Sequence, residues 1–238
     1  MSQITEAQLA ATIDHAILKP EFTRDDVDEQ LAIAREWNVF SVCVRPSDIA
    51  HAVEVLTDSD VAVGTVIGFP HGTTSTAAKV AETRQAAQDG ASEFDMVINI
   101  GALRSGFDDV VRDDIRAVVA AADGAVTKVI LEVSLLNDEQ IERGSRLAEE
   151  AGATFVKTST GFAGGGATVD TVRLMRRSVG PQTQVKASGG VRSLQDALAM
   201  LEAGATRLGT SGSATILGEL RAIEAGESAS GAVDESSY

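Results

Sequence analysis

Four times along the chain a helical run stops at Gly-Ala and an apolar, strand-like run begins. The junctions are Gln88-Asp89-Gly90-Ala91, Ala122-Asp123-Gly124-Ala125, Glu150-Ala151-Gly152-Ala153 and Glu202-Ala203-Gly204-Ala205. Glycine just past a helix end supplies the left-handed residue that stops the helix, so each copy is a helix-to-strand junction. Pattern in the remaining sequence places strands near 12–18, 39–44, 61–67, 93–98, 126–133, 153–157, 183–187 and 206–209, with helical patterns between them. Asn137 with Gln140, and Ser193 with Asp196, are helix-start pairs in which the third residue returns the cap's hydrogen bond. Strict alternation of strand and helix favours a parallel sheet with right-handed crossovers. Eight such units fit an α/β chain folded as one (β/α)8 TIM barrel over residues 1–222. An open doubly wound sheet is the alternative that pattern leaves. Residues 223–238, small, polar and acidic, read as a flexible tail.

Composition narrows the function classes. With 44% hydrophobic and 23% charged residues the chain is globular rather than disordered. No apolar stretch approaches the roughly 20 residues of a membrane helix, and the N-terminus has no signal-like pattern, so a cytoplasmic location is expected. A net charge of −15 without a basic stripe argues against nucleic acid and anionic membrane as partners. Cys43, the only cysteine, sits in the apolar run Val42-Cys43-Val44 and reads as core. His15, His51 and His71 lack metal-site spacing, and no metal is expected.

The chemistry is signalled by lysine. The chain has only five, and two end strand-like runs that lead into glycine-rich turns, at Val156-Lys157-Thr158-Ser159-Thr160-Gly161-Phe162 and Val185-Lys186-Ala187-Ser188-Gly189-Gly190-Val191-Arg192. Asp95, Lys157 and Gly209 each fall five residues beyond a junction glycine, which puts them at one depth, at the strand ends where such barrels carry reactive groups. Lys186 closes the next strand, so the two ammonium groups are expected side by side. A like charge and partial desolvation both disfavour the ammonium form and can bring a lysine from about 10.4 toward roughly 7 to 8, freeing the amine to attack a carbonyl. The competing reading is structural, with both lysines paired to carboxylates such as Asp95 or Glu132. Asp95 lies inside the apolar strand Phe94-Asp95-Met96-Val97, where an unpaired carboxylate is costly, so it should face the lysines. Gly161, Gly189-Gly190 and Gly209-Thr210-Ser211-Gly212 follow three successive strands, an arrangement that suits a phosphorylated ligand.

These segments carry a family resemblance. The chain resembles the deoxyribose-phosphate aldolases, class I aldolases on a (β/α)8 barrel. The likeness runs through Ile13-Asp14-His15-Ala16-Ile17-Leu18-Lys19-Pro20, Ser41-Val42-Cys43-Val44, Val66-Ile67-Gly68-Phe69-Pro70-His71-Gly72, the segments 93–101 and 128–132, Lys157 to Phe162, Lys186 to Arg192, and Arg207-Leu208-Gly209-Thr210-Ser211. It implies reversible cleavage of 2-deoxy-D-ribose 5-phosphate to D-glyceraldehyde 3-phosphate and acetaldehyde, with no metal or organic cofactor. It further implies Lys157 as the Schiff-base residue, Lys186 as the neighbour that lowers its pKa, and Asp95 as the proton carrier. By the same resemblance Asp14 and Lys128 join the surrounding polar network, and Gly161, Gly189, Gly190, Gly209 and Ser211 hold phosphate. A homodimer or homotetramer is implied, with sugar phosphates and aldehydes as the small-molecule partners.

The sequence departs from the family at Ala16, where threonine is common, at Arg45, where asparagine is frequent, and at Gly212, where a second serine often stands. Tyr238, the only tyrosine, ends the chain, as a tyrosine does in some relatives where it can fold over the site. Two other readings stay open: another Schiff-base sugar-phosphate aldolase, and a sugar-phosphate-binding barrel without catalysis. Fifteen arginines against five lysines and the acidic excess fit either a high-salt proteome or a GC-rich genome. The high-salt reading predicts a melting temperature that climbs from low to molar salt, and a flat melting curve across that range removes it.

Overall fold

The structure is a computed structural model and describes residues 4–226. Eight strands close into a parallel barrel in sequence order: β1 (Ile13–Ile17), β2 (Ser41–Val44), β3 (Ala62–Ile67), β4 (Glu93–Val97), β5 (Val126–Ile130), β6 (Phe155–Lys157), β7 (Gln184–Ser188) and β8 (Arg207–Thr210). Pairing of β1 with β8 decides for the closed barrel over the open sheet. Each strand lies where its pattern put it, except that β5 stops at Ile130, because Glu132 takes a left-handed conformation (φ 60°) and starts a 3-10 turn, Val133–Leu135. At the other end, the last helix, Ser213–Glu224, runs two residues into the segment read as tail. Residues 227–238, including Tyr238, lie outside the described residues.

The Gly-Ala junctions explain the repeat. Gly90, Gly152 and Gly204 have φ of 103°, 88° and 109°. In each, the alanine N–H donates to a carbonyl five residues back and the glycine N–H to one three back: Ala91 to Ala86 and Gly90 to Ala87 in the first. This is the Schellman pattern, which satisfies the helix's last carbonyls and turns the chain into the next strand. The fourth junction is built differently: Asp123 (φ 49°) and Gly124 (φ 86°) are both left-handed. The capping pairs at Asn137/Gln140 and Ser193/Asp196 form as expected.

The register sets the barrel interior. Moving one residue toward the strand C-termini at each strand, the pairs Asp95↔Lys128, Val129↔Val156, Lys157↔Lys186, Ala187↔Leu208, Gly209↔Asp14, His15↔Val42, Cys43↔Gly64 and Thr65↔Phe94 return to Asp95. Alternate strands therefore contribute four interior residues per tier. Cys43, Asp95, Lys157 and Gly209 form one tier, which confirms the common depth expected from the junction spacing. Asp14, Gly64, Lys128 and Lys186 form the tier beneath it, and Ser41, Glu93, Phe155 and Arg207 the one below that. The apolar core lies outside the barrel wall, where residues such as Ile13, Val42, Met96 and Val129 meet the surrounding helices.

His15 faces that outer core. It is fully buried, with Nδ1 2.8 Å from Ser213 Oγ and Nε2 3.0 Å from Gln30 Oε1, so it joins β1 to the helices Arg24–Glu36 and Ser213–Glu224. Burial, only partly opposed by the Gln30 hydrogen bond, lowers its pKa to about 4. The unfolded chain takes up this proton near its ordinary pKa of about 6.5, whereas the folded chain holds out until about 4. The neutral imidazole's contribution is therefore whole above the unfolded value and is lost as the pH falls toward the folded one, amounting to about 3 kcal/mol. Between these pH values His15→Gln should show a shallower fall in unfolding free energy than the parent, measured by urea titration; equal slopes would contradict this.

Candidate active site

The two interior tiers that hold lysine form one buried ionic cluster. Both oxygens of Asp95 are engaged: Oδ1 lies 2.7 Å from Lys128 Nζ, and Oδ2 lies 2.7 Å from Lys157 Nζ and 2.7 Å from Lys186 Nζ. Lys186 also reaches Asp14 Oδ2 at 2.6 Å, and Lys128 reaches Glu93 Oε2 at 2.6 Å and Asp14 Oδ2 at 3.4 Å. Arg207 Nη1 sits 2.7 Å from Asp14 Oδ1 and 3.2 Å from Glu93 Oε2. Ser41 Oγ donates to Asp14 Oδ1. Asp95, Lys157, Lys186, Asp14 and Lys128, all named from sequence, thus meet in one place.

The cluster treats its lysines unequally. Lys186 has two carboxylate partners and Lys128 has three, but Lys157 has only Asp95. In their usual forms the connected groups carry four positive charges, on Lys128, Lys157, Lys186 and Arg207, against three negative ones, on Asp14, Glu93 and Asp95. A buried excess charge is costly, and losing the Lys157 proton balances the count. The electrostatics agree in direction. Burial is the largest influence on Lys157 and lowers its pKa; Asp95 opposes and Lys186 assists. Of the two causes expected from sequence, a like charge and desolvation, both act in the expected direction and desolvation is the larger. Burial also works against the charge on Lys186, but Asp14 and Asp95 outweigh it and hold the group as a cation. The carboxylates of Asp95 and Asp14 are likewise kept ionised by the lysines, against desolvation.

Around the cluster the walls differ. Cys43 is buried with Ala16, Leu18 and Val66, with Phe69 against them, and burial pushes its thiol up to about 11, consistent with its reading as core. Glu132, named as a possible lysine partner, instead accepts the Thr160 N–H at 3.2 Å and the Thr160 hydroxyl, and burial raises its pKa. A cleft of about 260 Å³ opens nearby between Leu18, Val66, Phe69, Phe162, Arg45 and Glu82. Arg45, one of the departures, pairs with Asp48 at 2.6 Å and donates to the carbonyls of Lys19, Pro20 and Phe22, clipping the loop after β1 to the loop after β2.

The proposed phosphate glycines separate into two kinds. Gly161, Gly189 and Gly190 are left-handed, with φ of 87°, 80° and 80°. Gly209 is extended within β8, where a Cβ would come to 3.0 Å of Lys186 Cε and 2.9 Å of Ser188 Cβ. Its missing side chain therefore makes room for Lys186. Ser211 lies just before the helix Ser213–Glu224, whose cap residue, Gly212, makes no side-chain cap. The Gly212 N–H donates to Thr210 Oγ1, which in turn donates to Val191 O, tying this turn to the loop after β7. Glu93 and Arg207 were missed as site residues, although charged residues at inward positions of short strands were the available signal. Among the described residues no group of three or more His, Cys, Asp or Glu is placed to hold a metal ion, and no helix is long and apolar enough to cross a membrane.

Comparison with known proteins places this geometry. Residues 8–221 match the family model described as DeoC/LacD family aldolase. The chain is 54% identical over 208 residues to the deoxyribose-phosphate aldolase of Staphylococcus haemolyticus, covering 87% of this chain and 94% of that protein. It is 55% identical over 205 residues to that of Streptococcus suis, covering 86% and 93%. Among solved structures, the deoxyribose phosphate aldolase from Aeropyrum pernix, described as a tetramer, superposes with a TM-score of 0.86 at 31% identity, covering 92% of this chain and 93% of that one. With its closed barrel and nearly full-length matches, this chain belongs to the DeoC/LacD family of aldolases.

Proposed function

We propose that this chain reversibly cleaves 2-deoxy-D-ribose 5-phosphate to D-glyceraldehyde 3-phosphate and acetaldehyde through a Schiff base on Lys157. The observation that carries the mechanism is the inequality of the three lysines: Lys157 alone has a single carboxylate partner, in a cluster balanced by its deprotonation. The relatives' shared activity supports the substrate.

The neutral Lys157 amine attacks C1 of the open-chain sugar, and loss of water leaves a protonated imine. As the C2–C3 bond breaks, its electron pair moves into C2 and the iminium, the C3 hydroxyl gives up its proton, and C3 becomes the aldehyde of glyceraldehyde 3-phosphate. The enamine left on Lys157 is protonated at C2 and hydrolysed to acetaldehyde, which frees the amine. Asp95, within hydrogen-bond distance of Lys157 Nζ, carries protons to and from the reacting atoms through water. Lys186, held cationic, disfavours the ammonium form of Lys157 and so favours the free amine that attacks C1. Asp14 and Lys128 hold Asp95 and Lys186 in position. Gly161, Gly189, Gly190, Gly209 and Ser211, with the first-turn N–H groups of the helix Ser213–Glu224, are the phosphate holders in this reading; Gly209 also admits Lys186.

The same reading makes the protein a cytoplasmic homodimer or homotetramer in deoxyribose phosphate breakdown, supported by the tetrameric relative; light scattering of the purified protein measures the assembly. Borohydride reduction in the presence of acetaldehyde should leave an ethyl adduct on Lys157, located by peptide mapping, and an adduct elsewhere or none overturns the mechanism. Acetaldehyde should serve as donor where dihydroxyacetone does not, which separates this reaction from other Schiff-base aldolases. Asp95→Asn should lower kcat by about 10²- to 10⁴-fold, the range for a lost proton-transfer group, in enzyme that circular dichroism shows to be folded; a kcat within threefold of the parent would remove Asp95 from proton transfer.

A further inference from the structure

We propose that Arg207 and Glu93 are positioning residues that set, by their charge, the pH at which the Lys157 amine becomes free to react. The inference rests on the reading of Lys157 as the Schiff-base amine.

Both residues lie two tiers below Lys157, at the N-terminal end of the barrel, so neither touches a substrate that enters from the mouth. Both are nonetheless wired into the cluster. The Arg207 guanidinium is 3.6 Å from the Phe40 ring centroid and 5.3 Å from that of Phe155, and its Nη1 bonds both Asp14 and Glu93. Glu93 bonds Lys128. Asp14 is the hinge of the arrangement: Oδ1 takes Arg207 and Ser41, while Oδ2 takes Lys186 and lies near Lys128.

Lys157 itself faces Asp95 from β4, Lys186 from β7 and Cys43 from β2, with Lys128 and Asp14 behind them and Glu132 beyond β5. The low-dielectric interior makes all these groups respond to the cluster's total charge. With Lys157 neutral the cluster holds three cations and three carboxylates. Removing the Arg207 charge leaves it one short of positive charge, and Lys157 regains balance by keeping its proton. Removing the Glu93 charge leaves one positive charge too many, and Lys157 releases its proton more readily. The two substitutions therefore push in opposite directions, which loss of packing alone does not do. Arginine suits the lower position because its guanidinium stays charged and stacks on the two rings that close the barrel floor.

The test is the pH dependence of borohydride trapping of acetaldehyde on Lys157, in the parent, Arg207→Gln, Glu93→Gln, the double variant and Arg207→Lys. The acidic limb should move to higher pH in Arg207→Gln and to lower pH in Glu93→Gln, each by about one pH unit. It should return near the parent position in the double variant and stay there in Arg207→Lys. Shifts of the same sign in both single variants, or no shift in Glu93→Gln, overturn the proposal. If Arg207→Gln does not fold, Glu93→Gln against Arg207→Lys decides: a lowered limb in the first and a parental limb in the second support it, and any other pair of results overturns it. A parent enzyme that traps nothing on Lys157 fails the Schiff-base reading instead, whereas normal trapping with unmoved limbs fails only this inference.

Discussion

One carboxylate, Asp95, holds the centre of the barrel together. Three lysine Nζ atoms meet its two oxygens at 2.7 Å, each from a different strand. Lysines on β5, β6 and β7 point into the same closed space, and without Asp95 their mutual repulsion would be relieved by loss of protons. Asp14 and Glu93 complete the neutralisation one and two layers down, but they do so for Lys128, Lys186 and Arg207 and leave Lys157 with Asp95 alone. Buried ion clusters are weak sources of stability, because desolvation cancels much of the attraction. This one is left with one positive charge in excess, which in the proposed reaction is relieved by loss of the Lys157 proton.

The backbone around the cluster is shaped to admit it. Gly64 and Gly209 occupy inward positions in the tiers of the lysines, and a Cβ on Gly209 would press on Lys186 Cε. The loops after β6 and β7 pack backbone to backbone, with the Ala167 N–H donating to Ser188 O and Gly189 O, and a Cβ on Gly166 would fall 2.2 Å from Gly189 O. Lysine use follows the same economy. Four of the five, Lys79, Lys128, Lys157 and Lys186, are buried, and Lys79 serves as a strut from its helix to Val97 O and Asp114. Almost none of the protein's positive surface charge is lysine, so the acidic surface is offset by arginine.

The fold was largely legible because it is built from local signals. A left-handed glycine after a helix reports its role in four residues, and the same spacing from junction to inward position recurs at Asp95, Lys157 and Gly209 because each barrel strand enters at the same depth. What failed also had local causes. The early end of β5 depends on a left-handed glutamate, Glu132, which sequence pattern gives no reason to expect. That Gly209 also leaves space for Lys186 could not be read either, because a glycine needed for space and one needed for φ are the same letter. Glu93 and Arg207 carry no local mark that separates them from ordinary charges at strand starts.

The sequence by itself determined the repeating unit, the strand positions and the placing of Asp95 and Lys157 at one level of the barrel with Lys186 on the adjacent strand, since all of these follow from periodicity and helix-end chemistry. Only the tertiary structure decided which lysine is left under-compensated. That depends on barrel closure, which sets Asp14 of β1 against Lys186 of β7, 172 residues away, and on the one-residue step between strands that gives Lys128 and Lys186 extra carboxylates and denies them to Lys157. Burial then acts on the remaining charge and lowers the pKa of Lys157. Residue types and local spacing are written in the chain, but the number of opposite charges around each buried amine is a property of closure and register.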